Sequence, residues 1–316
     1  MRVAADTSET ARFDLKTVLA THPEYLGTHA ASIVNHSNLP LGELPILVKL
    51  IDAKQDLSIQ VHPNDTYTAK NEAGQLGKTE MWYVVDAEEG ASLVYGLTRE
   101  ITAQQLREAI ETGTLEKFLN RVPVRRGDVF FIRAGVVHAI GAGCLIAEVQ
   151  ESSNLTYRLY DYKRVDSKTG KKRTLHVEKG LTVANLCPCP VRQPMRTMRY
   201  RRGMASELLA RCRYFQVERI LINTQHQTNI AEFIVEENSF HVLLCISGYG
   251  KFVNKVDANS DERSIYSNYS SYGSCVGIEF SKGSCIFIPA VISTIGLAGL
   301  AQYALLGQAE LLDISC

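Results

Sequence analysis

The chain has 316 residues, 45% of them apolar, and 34 Lys and Arg balance 34 Asp and Glu, so its formal net charge is zero. That length accommodates two domains, and a neutral chain is poorly suited to nucleic acid or an anionic membrane surface. No apolar run reaches the about 18 residues of a membrane-spanning helix, and the polar Met1–Thr10 stretch lacks the apolar segment of a secretory signal, so a cytoplasmic protein is expected.

A short helical pattern covers Phe13 to Leu19. From Leu44 the period changes to that of strands. Leu44–Asp52 is an apolar run. Asp56–His62 alternates, with Leu57, Ile59 and Val61 on one face and Ser58, Gln60 and His62 on the other. Further strands are predicted at Met81–Val85, Ser92–Leu97, Asp128–Arg133, Cys144–Gln150 and Leu155–Tyr162, where β-branched and aromatic residues suit a pleated surface. A helical insert over about 99–121 interrupts them. Thr102-Ala-Gln-Gln105 is a capping box, Leu106, Ala109 and Ile110 follow at helical spacing, and Gly113 ends the helix. Leu115, Phe118 and Leu119 predict a second short helix, closed by Pro123.

Residues 186–205 read as a linker, with Pro188, Pro190 and Pro194. Its run of Arg192, Arg196, Arg199, Arg201 and Arg202 reads as a solvated face. The Cys187-Pro-Cys-Pro190 stretch belongs to this stiff connector, since a lone C-x-C without a second pair is a poor zinc signal. The cysteines within apolar runs, Cys144, Cys245 and Cys285, are expected to be reduced core thiols. Strands then return at Tyr214–Ile222, Ile230–Val235, Phe240–Ile246, Ser284–Ile288 and Gln302–Leu306.

An internal repeat links the two halves. Arg126-Gly-Asp-Val-Phe-Phe-Ile-Arg-Ala134 matches Lys282-Gly-Ser-Cys-Ile-Phe-Ile-Pro-Ala290 without a gap, and Glu80–Val85 matches Ser239–Leu244. The chain is thus expected to be mainly β: a first domain over 1–185, a linker over 186–205 and a degenerate copy over 206–316. In these alignments Glu80 falls opposite Ser239 and His138 opposite Thr294. The second copy keeps the apolar pattern and loses the ligating residues, which marks Glu80 and His138 as functional.

Gln60 and His62 share one face of a strand whose other face is apolar, as in a barrel with a wet or metallated interior. Two imidazoles, a carboxylate and an amide oxygen (His62, His138, Glu80 and Gln60) suit a borderline divalent ion such as zinc, with water or substrate completing the shell. The remaining histidines, including His176 and His241, read as ordinary satisfied polar groups.

Four ordered motifs carry a resemblance: Gln60-Val-His-Pro-Asn-Asp65, Gly77-Lys-Thr-Glu-Met-Trp-Tyr83, Gly135-Val-Val-His-Ala139 and Tyr157-Arg-Leu-Tyr-Asp-Tyr162. Together they resemble type I mannose-6-phosphate isomerases of the short bacterial form, strongly over residues 44 to 180 and weakly beyond. The resemblance implies two cupin-type (jelly-roll) barrels and one zinc ion held by Gln60, His62, Glu80 and His138. It also implies active-site roles for Lys78, Arg158 and Glu148. The Trp-Gly-Gly and Gly-Glu-x-Trp motifs usual near the family's N-terminus are absent, and Trp82 is the only tryptophan.

The implied reaction interconverts mannose-6-phosphate and fructose-6-phosphate through an enediol(ate). It needs a base, a counter-charge for the oxyanion and a grip on phosphate. Glu148 is the expected base, with Glu151 its rival; Lys78 shuttles protons between oxygens. Arg158, Lys163 and Arg164 are phosphate candidates. The partner is a hexose-6-phosphate, and the protein a monomer or homodimer. Two alternatives remain on the same fold: a metal-dependent oxygenase, and a non-catalytic sugar-binding cupin. The amide ligand and the Lys78/Arg158 pair suit a phosphosugar better than oxygen chemistry.

Overall fold

The structure, a computed structural model, describes residues 14–165, 170–189, 196–224, 231–254, 277–290 and 301–316. Met1–Thr10, Pro190, Arg192, Pro194 and Thr294, all used in the sequence reading, lie outside them. The chain divides into two compact units, Ile46–Pro194, and Met1–Pro45 with Met195–Cys316. The sequence assigns the N-terminal stretch to the first domain; the structure groups it with the C-terminal strands. The reason is backbone pairing: Phe240 donates to the Leu26 carbonyl, Ala290 to Tyr25, and Thr28 to the Glu237 carbonyl. Among the described residues no helix is long and apolar enough to cross a membrane.

The Ile46–Pro194 unit contains two antiparallel sheets. One has the order β1 (Ile46–Ala53), β8 (Cys144–Glu151), β3 (Glu80–Ala87), β6 (Val129–Ile132). The other has the order β5 (Leu119–Pro123), β4 (Ser92–Leu97), β7 (His138–Ile140), β2 (Ile59–Val61), β9 (Tyr157–Tyr160). Trp82, Phe130 and Ile146 of the first sheet pack with Leu93 and Ile140 of the second in one core. The cupin-type, mainly β expectation holds, but the described ladders form two separate sheets rather than one closed ring.

A second apolar layer covers the far face of the five-stranded sheet. Ile59, Val61, Val137, Ala139, Tyr157 and Leu159 pack there against Leu106, Ala109 and Ile110 of α4 (Ala103–Thr112). Both capping-box bonds of α4 form, between Thr102 and Gln105, and Gly113 ends it in the left-handed conformation at φ 72°. The expected second helix is a single 3-10 turn, Leu115–Phe118, because Leu119–Pro123 is taken up by pairing with β4. Helix α5 (Val177–Val183) sits close on β9 through Gly180, where a Cβ would lie 2.3 Å from Leu159 Cδ2.

In the other unit, α1 (Leu15–Thr21) is capped by Asp14, whose side chain accepts from Thr17 N, and α2 (Thr28–Asn35) follows. The expected linker ends in strands: β10 (Arg199–Arg201) and β11 (Met204–Arg211) extend β12 (Gln216–Asn223). Two long strands, β14 (His241–Asn254) and β17 (Ala301–Ser315), pair along most of their length. One end of this pair takes β12 and β16 (Cys285–Ile288); the other takes β13 (Ala231–Val235) and β15 (Gly277–Ser281). A bulge between Cys245 and Ser247, with Gly248 and Gly307 at positive φ, marks where the pair changes partners. Cys144 and Cys245 are buried as expected, whereas Cys285 is exposed. It alternates outward on β16, which among the described residues pairs with β14 alone.

The repeat is present in the ladders with a corrected register. Ile132 pairs with Glu80, and its counterpart Ile288 pairs with His241. Glu80 therefore corresponds to His241, two residues beyond the Ser239 of the ungapped alignment. On the next strand Glu148 lies opposite Trp82 and Asp313 opposite Leu243, so Glu148 corresponds to Asp313. The His241 and Asp313 side chains pair at 2.8 Å.

Burial opposes the charge on His241, but the Asp313 carboxylate outweighs it and raises the imidazole pKa, with Glu218 and Glu236 adding to the effect. A raised folded-state pKa adds stability that is complete below the unfolded value and lost as pH rises through the folded one. Asp313→Asn should therefore destabilise the fold by roughly 1.5–3 kcal/mol, the scale of a charged hydrogen bond. Denaturant melts of wild type and variant should converge as pH is raised above the ordinary imidazole range. A constant difference across that range would remove the charge from the account.

Candidate metal centre

The β2–β7 and β2–β9 ladders place His138 and Arg158 on either side of Gln60, so the three form one row across the sheet. Directly opposed residues share a face. This row turns away from the helix-covered layer because its neighbours Ile59, Val61, Tyr157 and Leu159 fill that layer. The other sheet contributes a second row. Lys49, Glu148 and Trp82 lie opposite one another on β1, β8 and β3. Glu80 lies two residues before Trp82, on the same face.

The two rows meet at a buried cluster of His62, Glu80 and His138, whose ligand atoms all lie within 4.8 Å of one another. The His62 and His138 Nε2 atoms are 3.1 Å apart. Glu80 Oε1 is 3.2 Å from His138 Nε2, and Glu80 Oε2 is 3.6 Å from His62 Nε2. His62 Nδ1 faces the Leu155 carbonyl at 2.9 Å, and His138 Nδ1 faces that of Val136 at 2.8 Å. Each Nδ1 therefore carries the proton, and each Nε2 presents a lone pair inward.

Two inward lone pairs at 3.1 Å repel unless a cation lies between them. Both Glu80 oxygens are buried without a hydrogen-bonding donor, although the Lys78 ammonium lies 3.0 Å from one of them. Burial alone would raise the Glu80 pKa, but the Lys78 ammonium beside it leads the groups that overcome it, and the carboxyl is held well below the usual range. Burial, with Lys78 and His138, drives His62 well below its ordinary value against the pull of Glu80, leaving it neutral. Two inward-facing imidazole nitrogens and a buried, ionised carboxylate fit a divalent metal. Gln60 is half-buried in the adjacent row.

The remaining sequence candidates separate. Lys78 is buried 3.1 Å from His62 Nε2, at the centre. Glu148 accepts from Trp82 Nε1 at 3.0 Å and from Lys49 Nζ at 3.1 Å, the latter a salt bridge. Trp82 in turn packs edge-on against His138. Arg158 donates through Nε to Ser58 Oγ at 3.3 Å and through Nη1 to the Thr174 carbonyl at 2.9 Å. Burial depresses the Arg158 pKa, with Arg173 and Arg164 adding to it against the pull of Asp161, which both arginines bind. Lys163 is exposed and runs beside Gly113 at the end of α4, on the helical side.

Sequence reasoning missed Lys49 and Arg173. A lone lysine within the apolar Leu47–Ile51 run was a usable signal for Lys49. Arg173 had none, since it lies in a basic stretch that reads as solvated loop.

Fold and site together define a cupin-type β protein with a two-histidine, one-glutamate metal cluster. The family model for the catalytic domain of type I phosphomannose isomerase matches residues 5–99. Mannose-6-phosphate isomerase ManA of Bacillus subtilis is 36% identical over 235 residues, covering 73% of this chain and 72% of the relative. A mannose-6-phosphate isomerase of Streptococcus mutans is 40% identical over 172 residues, with the match spanning half the relative's length. The crystal structure of a Bacillus subtilis mannose 6-phosphate isomerase superposes with a TM-score of 0.69 at 29% identity, over 88% of this chain and 77% of that one. The chain belongs to the type I phosphomannose isomerase family.

Replacing His138 with alanine removes one of three converging donors. Elemental analysis of purified His138→Ala should find bound divalent metal reduced to about a tenth or less, in line with the strong dependence of such sites on each ligand. Full occupancy in that variant would take His138 out of the donor set.

Proposed function

We propose that the protein interconverts mannose-6-phosphate and fructose-6-phosphate through an enediol(ate), with zinc held by Gln60, His62, Glu80 and His138. The observation that carries this reading is the convergence of a buried metal-ligand cluster, the Lys78 ammonium and the Glu148 carboxylate, beside the row that bears Arg158. Family membership supports the same substrate. Zinc, when bound, supplies Lewis-acid stabilisation for the developing enediolate.

The side chains account for the rest of the chemistry. Glu148, only 4% exposed and oriented by Trp82 and Lys49, accepts the carbon-bound proton and returns it to the neighbouring carbon. Lys78 donates to the oxygen that becomes negative and helps move the hydroxyl proton. Arg158 has guanidinium donors beyond those used by Ser58 and Thr174, and these hold the phosphate or an oxyanion. Arg164 and Arg173, sharing Asp161, leave a net positive field around that grip. An oxygenase would leave Lys78, Glu148 and Arg158 without a task.

The decisive assay couples fructose-6-phosphate formation from mannose-6-phosphate to a reporter enzyme, with and without chelator. Activity should vanish on chelation and return with zinc. Arg158→Ala should lower turnover by roughly two to four powers of ten, the scale of losing a strong preorganised contact, while metal content stays normal. Arg158→Lys should restore only part of it, since an ammonium lacks the planar fork. A fully active alanine variant, or one stripped of its metal, would assign Arg158 a structural role instead.

A further inference from the structure

Glu151 ends β8 and is only 1% exposed, yet the reaction outlined above gives it no task. Its Oε1 accepts from the Thr79 amide at 2.6 Å. The Thr79 carbonyl accepts from the Glu151 amide at 3.1 Å, so the two residues are doubly tied. Thr79 follows Lys78 directly. The amide of Gly77, on the other side, donates to Asp65 Oδ1 at 2.8 Å, and that of Lys78 donates to the Pro63 carbonyl at 3.0 Å. Three consecutive N–H groups are thus held by three separate acceptors, two of them carboxyls. Gly77 is needed there, because a Cβ would lie 2.7 Å from the Asp65 amide nitrogen.

The two carboxyls also face each other. Glu151 Oε2 is buried with no donor directed at it. Burial, and then the charge of Asp65, push the Glu151 carboxyl up to about 8, as expected when two carboxyls share one proton. With Asp65 bound to the Gly77 amide and Glu151 to the Thr79 amide, the two side chains bracket the Lys78 segment: α3 (Asp65–Asn71) holds one side and β8 holds the other.

We infer that Glu151, acting with Asp65 on the other side, is the positioning residue that fixes the backbone of Gly77–Thr79, and so holds the Lys78 ammonium at the metal cluster. The inference rests on the isomerase reading and on the role given there to Lys78. It also separates Glu151 from Glu148: Glu151 acts as a backbone clamp, not as the base. An amide oxygen can replace the acceptor that holds Thr79, whereas it cannot replace a base.

Four variants test this: Glu151→Gln, Glu151→Ala, Lys78→Ala and the double alanine, each measured for kcat, KM and bound zinc. Glutamine keeps an acceptor for Thr79 and should retain at least about a third of wild-type turnover. Alanine should lower kcat by roughly 10- to 100-fold, the scale of a displacement of about an ångström at a reacting group. Its KM and zinc content should stay near wild type. In the Lys78→Ala background the same change should have little further effect, because the clamp acts through that lysine. If Glu151→Ala fails to fold, Glu151→Asp substitutes for it: the shortened side chain loses Thr79, and kcat should fall about 5- to 30-fold at constant zinc.

An inactive Glu151→Gln would instead make Glu151 the base. Full additivity in the double variant, or loss of zinc from Glu151→Ala, would overturn the clamp. A fully active Lys78→Ala, or a wild type inert toward mannose-6-phosphate, would sink the isomerase reading itself, which distinguishes the two failures.

Discussion

Everything in the first β unit is arranged around an ionised carboxylate with no solvent. Glu80 is fully buried, and removing such an ion from water costs several kcal/mol unless compensating charge is placed beside it. Lys78 provides part of that charge, while His62 and His138 present lone pairs rather than protons. The arrangement is electrostatically incomplete as a purely structural device. Packing alone would favour an apolar residue at this position, so the carboxylate is retained for what it binds.

Two sheets are needed to bring these groups together. A single strand can present Gln60 and His62 on one face, but Glu80 belongs to the other sheet, and Lys78 to the segment leading into it. Cross-strand pairing then fixes who stands beside whom. Gln60 opposite His138 and Arg158, and Glu148 opposite Trp82 and Lys49, are consequences of ladder register. A register slip of one residue would send every one of these side chains into an apolar layer. The helices on the outer face oppose that slip, since Gly180 fits only where Leu159 points outward.

Alternation and motif spacing made much of this visible in the sequence. The Asp56–His62 alternation placed Ile59 and Val61 in the packed layer, where they are fully buried. The Thr102 capping box and the Gly113 stop were equally legible, because both are local. Long-range pairing was hidden. Leu115, Phe118 and Leu119 carry a helical pattern, yet Leu119–Pro123 becomes a strand, since tertiary pairing outweighs local propensity. The α5 helix and the β10–β11 ribbon escaped because short elements in charged sequence have little periodicity. Glu151 was noticed only as a rival for Glu148: nothing in sequence shows that its partner lies 86 residues earlier, in a different element.

The duplicated strands offer an internal control on what the catalytic-type positions mean. With the register taken from hydrogen bonding, the Glu80 position holds His241 in the second unit, the Glu148 position holds Asp313, and the Lys49 position holds Glu218. His241 and Asp313 satisfy each other at 2.8 Å. Ionisable residues were therefore kept at these places in both copies, so ionisability alone does not distinguish them. The distinction is satisfaction: in one copy the charges neutralise within the protein, and in the other, among the described residues, Lys78 alone answers both the Glu80 carboxylate and two crowded inward-facing imidazole nitrogens. A polar group whose partner is built in is a stabilising feature; one left facing an unfilled demand is held ready for a ligand. By that physical criterion the first unit is the one poised for a ligand, whichever residue types the second unit retains.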